Sequence, residues 1–320
     1  MRDVLVTGGA GFIGSALVRG LLEEKSIRRV VVLDNLFTGK RENLLEVESA
    51  IEFHQVDLRE YAPLEALFSG IDTVFHQAAI ASVPRSIQEP ALTHDVNVNG
   101  TFNVFLAAHR KNVKRVVYAS SSSVYGDTPS LPKVETMPPD PKSPYATQKV
   151  IAEQYAKTFW KVYGVEMVGL RYFNVFGPRQ DPTSPYSGVL SLFSKALLER
   201  RPPTIHGDGQ QSRDFTFVDN IVRLNILAAL SHKAPGNVYN GGIGGRYTLN
   251  DTWAVLQKLE GVEIQPGYAP PRPGDVEHSQ ADLTAAKRDL DYVPLVMFQE
   301  GLRRTLDWYK NDSLVGIRES

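Results

Sequence analysis

Short runs of β-branched and aliphatic residues alternate with longer amphipathic stretches through the first two-thirds of the chain. The runs at residues 4–6, 30–33, 51–55, 73–76, 116–119 and 167–171 predict strands. Between them, 14–24, 63–68, 97–111 and 145–163 space their apolar residues at helical intervals and predict helices. Strand and helix in alternation imply βαβ units, hence an α/β fold with a doubly wound, mostly parallel sheet covered on both faces. After Arg171 the pattern breaks up. Gly177-Pro178, Arg201-Pro202-Pro203 and the stretch 269–274 cluster turn residues among shorter helices and strands. That change predicts a second, smaller α/β lobe built from the C-terminal third. Residues 218–230 read as a further helix, and 238–240 as a late strand able to rejoin the main sheet.

Bulk properties narrow the picture mainly by exclusion. A 320-residue chain is long enough for one large or two moderate cores. Its net charge of −1 gives no electrostatic case for nucleic acid or an anionic membrane surface as partner. No apolar run reaches the ~18 residues of a spanning helix, and residues 4–7 open directly on a strand with no signal-like segment before them. Cys is absent, so there is no disulfide and no thiolate metal site. These exclusions make the cytoplasm the expected compartment.

The first chemistry appears between the first strand and first helix, where Thr7-Gly8-Gly9-Ala10-Gly11-Phe12-Ile13-Gly14 places three glycines at G-x-x-G-x-x-G spacing. Glycine permits a tight turn, close approach of backbone to a pyrophosphate, and close packing of helix on strand. The helix N-terminus then offers unpaired N–H groups to phosphate. A glycine triplet alone fits any tight strand–helix turn. Asp34 adds to it, ending the second strand 20 residues after Gly14, where a carboxylate accepts hydrogen bonds from an adenosine ribose. An acid there repels a 2′-phosphate, which favours NAD over NADP. Asp57-Leu58, after the third strand, is placed to meet the adenine edge.

Tyr145 and Lys149 lie four residues apart, on one face of a predicted helix. A phenol titrating near ~10 is a poor base at neutral pH. A neighbouring ammonium and an oxidised nicotinamide both favour the phenolate. Helices carry Y-x-x-x-K by chance, so the pair needs a partner. Ser120-Ser121-Ser122-Ser123 supplies one, because it follows the apolar run 116–119 and so lies at the carboxyl end of a strand, where such sheets bind ligands.

Taken together, the glycine turn, Asp34-Asn35-Leu36, Asp57-Leu58, His76-Gln77-Ala78-Ala79, the serine run before Val124-Tyr125-Gly126, and Tyr145 with Lys149 resemble an extended short-chain dehydrogenase/reductase. Residues 170–177, Gly207-Asp208-Gly209, Ser212-Arg213-Asp214-Phe215 and Arg272-Pro273-Gly274-Asp275 resemble its sugar-nucleotide branch, the UDP-hexose 4-epimerases. The resemblance implies a Rossmann domain for NAD over 1–174 plus roughly 216–242, and a UDP-sugar lobe over 175–215 plus 243–320. It implies cofactor contacts at Gly8, Gly11, Phe12, Ile13, Gly14, Asp34, Asn35, Thr38, Gly39, Asp57 and Leu58. Further cofactor contacts are implied at Gln77, Ala78, Ala79, Asn99, Tyr145, Lys149, Tyr172 and Phe173. Ser121 matches the catalytic hydroxyl that bonds the sugar O4, with Ser122 a second sugar contact and Tyr145 the base. Asn174 would meet the diphosphate, and Arg213 and Arg272 would clamp it, since guanidinium forks match phosphate oxygens. Asp275 would fix the nucleoside end, with Val189, Thr204 and Ile205 flanking the uracil.

The reaction follows from what the serine run lacks. Related 4,6-dehydratases carry an Asp–Glu pair after the catalytic hydroxyl for eliminating water, and this chain has Ser122-Ser123. What remains is removal of the 4-OH proton, transfer of hydride to NAD, and its return to the other face of the sugar. UDP-glucuronate 4-epimerisation, C4 reduction and a non-catalytic NAD-binding regulator are the competing readings. Ser82, Arg85 and Gln180 sit in segments resembling epimerases that accept N-acetylhexosamines. Ser279 falls where glucose-restricted relatives place a tyrosine, leaving room for a 2-N-acetyl group. The expected substrates are therefore UDP-GlcNAc and UDP-GalNAc, together with UDP-glucose and UDP-galactose. Helices 97–111 and 145–163 are expected to pair in a homodimer, although Phe105, Leu106, Val150, Ile151 and Phe159 fit packing within one chain equally well.

Overall fold

The computed structural model describes residues 1–182, 188–271 and 276–311. In chain order the strands are β1 (Asp3–Thr7), β2 (Arg29–Asp34), β3 (Glu52–Gln55), β4 (Thr73–His76), β5 (Arg115–Ser121), β6 (Glu166–Tyr172), β7 (Val175–Phe176), β8 (Thr204–His206), β9 (Ser212–Arg213), β10 (Thr216–Phe217), β11 (Val238–Gly241), β12 (Tyr247–Thr248) and β13 (Gly267–Ala269). The helices are α1 (Phe12–Glu23), α2 (Tyr61–Ala66), α3 (Val83–Gln88), α4 (Pro90–His94), α5 (Thr101–Arg110), α6 (Pro144–Thr158), α7 (Val189–Leu198), α8 (Val218–Leu230), α9 (Leu249–Glu260), α10 (Thr284–Leu290) and α11 (Phe298–Asn311).

One sheet runs β11-β6-β5-β4-β1-β2-β3, and every pairing in it is parallel. This is the doubly wound α/β arrangement the alternating pattern predicts, with residues 238–241 added beside β6 as the late strand. Strand order reverses at β1 and β4, which opens a crevice at their carboxyl ends. Successive strand residues face opposite cores. Val4 and Val6 join Leu17 and Leu21 of α1 and Leu224 of α8, while Leu5 joins Phe105 of α5 and Phe159. Burial on both faces explains why these strands read as continuous apolar runs.

A third core lies beyond β6. Phe176, Phe193, Phe215, Phe217, Trp253 and Phe298 pack together from β7, α7, β10, α9 and the start of α11. Fully burying each such ring stabilises the fold by about 1.5–3 kcal/mol. Helix α9 enters this core with defined ends, a Thr248–Asp251 capping box and a left-handed Gly261 at its close. The two passages of chain leading into it, β7 and β10, pair with each other in parallel. Helix α10 returns to the sheet, where Ala286, Leu290 and Tyr292 complete the first core.

Three details differ from the sequence expectations. The stretch 97–111 is not one regular helix, because Asp95–Gly100 is π-helical and α5 proper begins at Thr101. Asn97 is turned inward there, bonding the Ile80 backbone and the Gln148 side chain. The stretch 145–163 likewise ends in a π-helical turn, Phe159–Tyr163, closed by left-handed Gly164. Residues 83–94 form α3 and α4, which the pattern does not reveal; Pro84 and Pro90 stand in their first turns, where the missing N–H costs nothing. Phe105 and Phe159 are buried within the chain and unavailable to a partner. Among the described residues no helix is long and apolar enough to cross a membrane.

Candidate active site

The glycine turn forms the floor of the crevice. Gly8 has φ +69°, and a Cβ there would lie 2.7 Å from the Ala78 backbone. At Gly14 a Cβ would lie 2.1 Å from Gly8 O, so the first turn of α1 rests directly on the strand-end loop. Gly11 is the N-cap of α1, and no side chain caps that helix. Phe12 and Ile13 follow at the helix start, half-buried against the aromatic core. The cradle is thus a backbone surface that side chains would fill, with helix N–H groups open to an anion. These features fit a dinucleotide pyrophosphate.

Asp34 closes one end of this cradle. Its Oδ2 accepts from Ala10 N at 3.0 Å and its Oδ1 from Leu36 N at 2.8 Å. Burial raises its pKa against those two bonds. Gly39 packs on the carboxylate, where a Cβ would come within 2.8 Å of Oδ2, and Thr38 beside it is exposed. Asn35 donates to Asp57 Oδ2 at 2.8 Å, and Arg59 donates to both Asp57 oxygens, holding that carboxyl well below the usual range. Arg59 also reaches Asp95, whose Oδ1 accepts from Asn99. Asn35, Asp57 and Asn99 therefore share one polar chain at the rim of β2 and β3. Leu58 is buried in the core, and its carbonyl accepts from Asn103 Nδ2 at 2.9 Å.

At the opposite end, the predicted catalytic residues converge. Ser143 caps α6, its hydroxyl accepting from Ala146 N, and Pro144 opens the helix. The Tyr145 N–H donates to Ser86 Oγ at 3.1 Å, which ties the start of α6 to α3. Lys149, one turn on, donates from Nζ to Ala119 O at 2.8 Å, and its ammonium lies 5.7 Å from the Tyr145 ring centre. Ser121 ends β5 beside them; its Oγ accepts from Ser123 N and from the Ser123 hydroxyl at 2.9 Å. Ser122 is half-buried in the 3-10 turn that follows.

In the protein alone, burial governs the phenol. Burial pushes the Tyr145 phenol up to about 12, and the group that pulls it back is the Ser121 hydroxyl rather than Lys149. Lys149 is itself drawn down to about 8 by burial, with Glu153 opposing. In the protein alone desolvation outweighs the lysine, so the phenol stays protonated at neutral pH.

Behind these residues, Tyr172 OH donates to Gln77 Oε1 at 3.0 Å, and Asn225 of α8 bonds both of them. This triangle joins the ends of β4 and β6 to the middle of α8, beside Ala78 and Ala79. Phe173 is fully buried with Val124 and Tyr125, so its side chain is not a cofactor contact; its N–H is spent on Gly241 O. Asn97, Asn225 and Glu153 are absent from the sequence expectations, and each is a polar residue on an otherwise buried helix face.

The substrate-side residues are partly assembled. Asn174, with φ +29°, donates from Nδ2 to Ser279 Oγ at 3.3 Å. Ser279 is buried, and its N–H donates to Ser212 O. Arg213, on the same strand as Ser212, is buried and donates to Ser212 O and Glu277 O. Gln180 holds Tyr309 through its carbonyl, while its side-chain Oε1 is buried with no hydrogen-bond partner. Val189 begins α7, half-buried against the aromatic core. Ile205 lies fully inside that core while Thr204 is exposed, so the two cannot present their side chains to one base. Ser82 caps α3, and Arg85 pairs with Glu89 and stands 4.7 Å over the Phe37 ring on the loop after β2. Arg272 and Asp275 lie outside the described residues.

Comparison with known proteins accords with this geometry. Residues 4–242 match the NAD dependent epimerase/dehydratase family. A UDP-glucose 4-epimerase of Mycolicibacterium smegmatis is 38% identical over 97% of this chain and 99% of its own. The structure of a UDP-N-acetylglucosamine 4-epimerase from Methanobrevibacter ruminantium M1, in complex with UDP-N-acetylmuramic acid, superposes with TM-score 0.91 at 41% identity, covering 97% of this chain and 99% of that one. A Thermus thermophilus UDP-glucose 4-epimerase complexed with NAD gives TM-score 0.88 at 39% identity, with the same coverage.

Proposed function

Because the chain belongs to the NAD dependent epimerase/dehydratase family, we propose that it is a UDP-hexose 4-epimerase that acts on UDP-GlcNAc and UDP-GalNAc as well as UDP-glucose and UDP-galactose. The observation that carries the reaction type is the composition of the catalytic corner. Ser121, Tyr145 and Lys149 meet at the carboxyl edge of the sheet, and Ser122 and Ser123 stand where an elimination would need carboxyl groups.

In this reading residues 1–174 with roughly 216–242 hold NAD, and 175–215 with 243–320 hold the UDP-sugar. The backbone cradle of Gly8, Gly11 and Gly14 takes the pyrophosphate and Asp34 the adenosine ribose. Bound NAD supplies reversible hydride acceptance at C4 and, when oxidised, a positive charge beside the phenol. Tyr145 removes the proton from the sugar 4-hydroxyl and later returns it to O4 of the epimer. Ser121 holds O4 through its hydroxyl. Lys149, fixed on Ala119 O, anchors the nicotinamide ribose and adds positive charge near the phenolate. Asn174, Arg213 and Arg272 keep the diphosphate in place while the 4-keto sugar turns its other face. Hydride and proton each leave and come back, so the reaction is a net isomerisation.

Support for the N-acetylated substrates comes from Ser279, a small side chain engaged by Asn174. Support for a sugar contact at Gln180 comes from its unpartnered buried carbonyl oxygen. We further propose a homodimer through α6 and the turn that extends it, where Tyr155, Val162 and Tyr163 are exposed. Incubation with UDP-GlcNAc and separation of the products tests the central reading: UDP-GalNAc must form without added NADH. Turnover of UDP-glucuronate alone, or NADH-dependent reduction, would replace it.

A further inference from the structure

Glu153 stands one helical turn beyond Lys149 on α6, and the proposed reaction gives it no task. It is buried, and its Oε1 accepts from the Ser120 hydroxyl at 2.6 Å. Arg171 donates to both of its oxygens, Nε to Oε1 at 2.9 Å and Nη2 to Oε2 at 2.7 Å. Arg171 is equally buried, its guanidinium 4.6 Å over the Tyr125 ring. A buried ion pair loses hydration that an apolar pair of the same size would not, so stability alone gives no reason to keep it.

Its neighbours supply one. Ser120 directly precedes Ser121, and Arg171 directly precedes Tyr172. The carboxylate thus grips the residue next to the sugar-binding hydroxyl and the residue next to the cofactor-side phenol. Through Ser120 it also stands next to Ala119, whose carbonyl holds Lys149 Nζ. The charged and titratable groups around that ammonium are Tyr145 and Glu153 on its own helix, His76 at the end of β4, and Arg171 on β6 across Glu153. His76 is neutral there and Tyr145 protonated in the protein alone, which leaves Glu153 as the negative charge. Burial works to discharge Lys149 and Glu153 works against it.

We propose that Glu153 is a positioning residue for the epimerisation, its buried carboxylate keeping Lys149 in the ammonium form and fixing the strand residues that flank Ser121 and Tyr172. This rests on Tyr145 and Lys149 carrying the chemistry. The pair is also reachable from outside. A cleft of about 380 Å³ opens behind it, with Glu153, Arg171, Met137, Pro138, Lys157 and Val238 among its walls.

The test titrates Lys149 directly by lysine-detected NMR in the resting protein, alongside the pH profile of kcat. Glu153→Gln is expected to lower the Lys149 titration by about one pH unit. The alkaline limb of kcat should move down with it while KM changes less than twofold. In Glu153→Ala, formate entering through the cleft to meet Arg171 is expected to move the alkaline limb back up. An unshifted Lys149 titration in Glu153→Gln overturns the proposal. Should that variant fold poorly, Glu153→Leu/Arg171→Met removes both buried charges at once. A recovered Tm with Lys149 still shifted supports the role, and a wild-type titration overturns it. Absence of turnover in the unmodified protein would instead sink the catalytic reading, while the lysine titration would still report on Glu153.

Discussion

Asn174 donates its side-chain amide to Ser279 Oγ across 3.3 Å, joining the segment after β6 to the one that runs beside β9. Ser279 is buried, so a larger side chain there has to take space from the sugar side or displace Asn174. Ser279→Tyr is expected to lower kcat/KM for UDP-GlcNAc at least tenfold, on the order of 1–3 kcal/mol. UDP-glucose should be affected far less. Equal losses on both sugars would remove the size argument.

Tyr145→Phe keeps the ring and deletes the proton carrier. Turnover is expected to fall by roughly 10²–10⁴, with UDP-sugar affinity by calorimetry within about threefold. Retained turnover would take Tyr145 out of the mechanism.

Gly14→Ala places a methyl 2.1 Å from a main-chain oxygen, which has no flexible end to swing aside. Denaturant unfolding is expected to show a loss of about 1–3 kcal/mol, and NAD retention during purification should fall with it. An unchanged unfolding midpoint would mean that α1 can slide off the turn.

His76 predicts a pH dependence of stability. Its Nδ1 and Nε2 are both engaged, by Thr7 and Thr101, and burial first, Lys149 second, pull its pKa down to about 3. In the unfolded chain an imidazole takes its proton near ~6.5. Below that pH the unfolded state binds a proton that the native state refuses. Stability therefore falls as pH drops from about 6.5 toward 3, by about 1.4 kcal/mol per pH unit from this group. His76→Gln should flatten the curve by one proton. Identical slopes would show that the native state accommodates the imidazolium.

For the dimer, Val162→Glu puts a charge on the most exposed apolar position of the α6 extension, 65% accessible in the single chain. Sedimentation is expected to show a dimer for the unmodified chain and a monomer for the variant. A monomeric parent would end that proposal.

The sheet was readable because strands such as β1 and β2 are buried on both faces, and continuous apolar runs leave little choice. The glycine turn was readable because its spacing is local. What escaped depends on partners distant in the chain. Asn97 bends the start of its helix through bonds to Ile80 and Gln148, and nothing within five residues signals it. Glu153 looks like an ordinary helix-surface acid until Arg171 and Ser120 arrive from other strands. Ile205 was read with Thr204 as a pair, yet strand pleating sends neighbours to opposite sides. The desolvation that raises the Tyr145 phenol in the protein alone is set by its packed surroundings and has no sequence pattern.

The route of the chain between the sheet and the aromatic core has a last consequence. It leaves the sheet at β7, returns through β10 into α8 and β11, leaves again, and comes back as α10, and the described residues close with α11. A fragment stopping at residue 174 would lack α8, the partner of α1, and would bare the edge of β6 that β11 covers. Residues 1–174 are therefore no detachable module. Truncation at that boundary is expected to expose the β6 edge to pairing with other chains, and insertions are expected to be tolerated best where they leave these crossings intact.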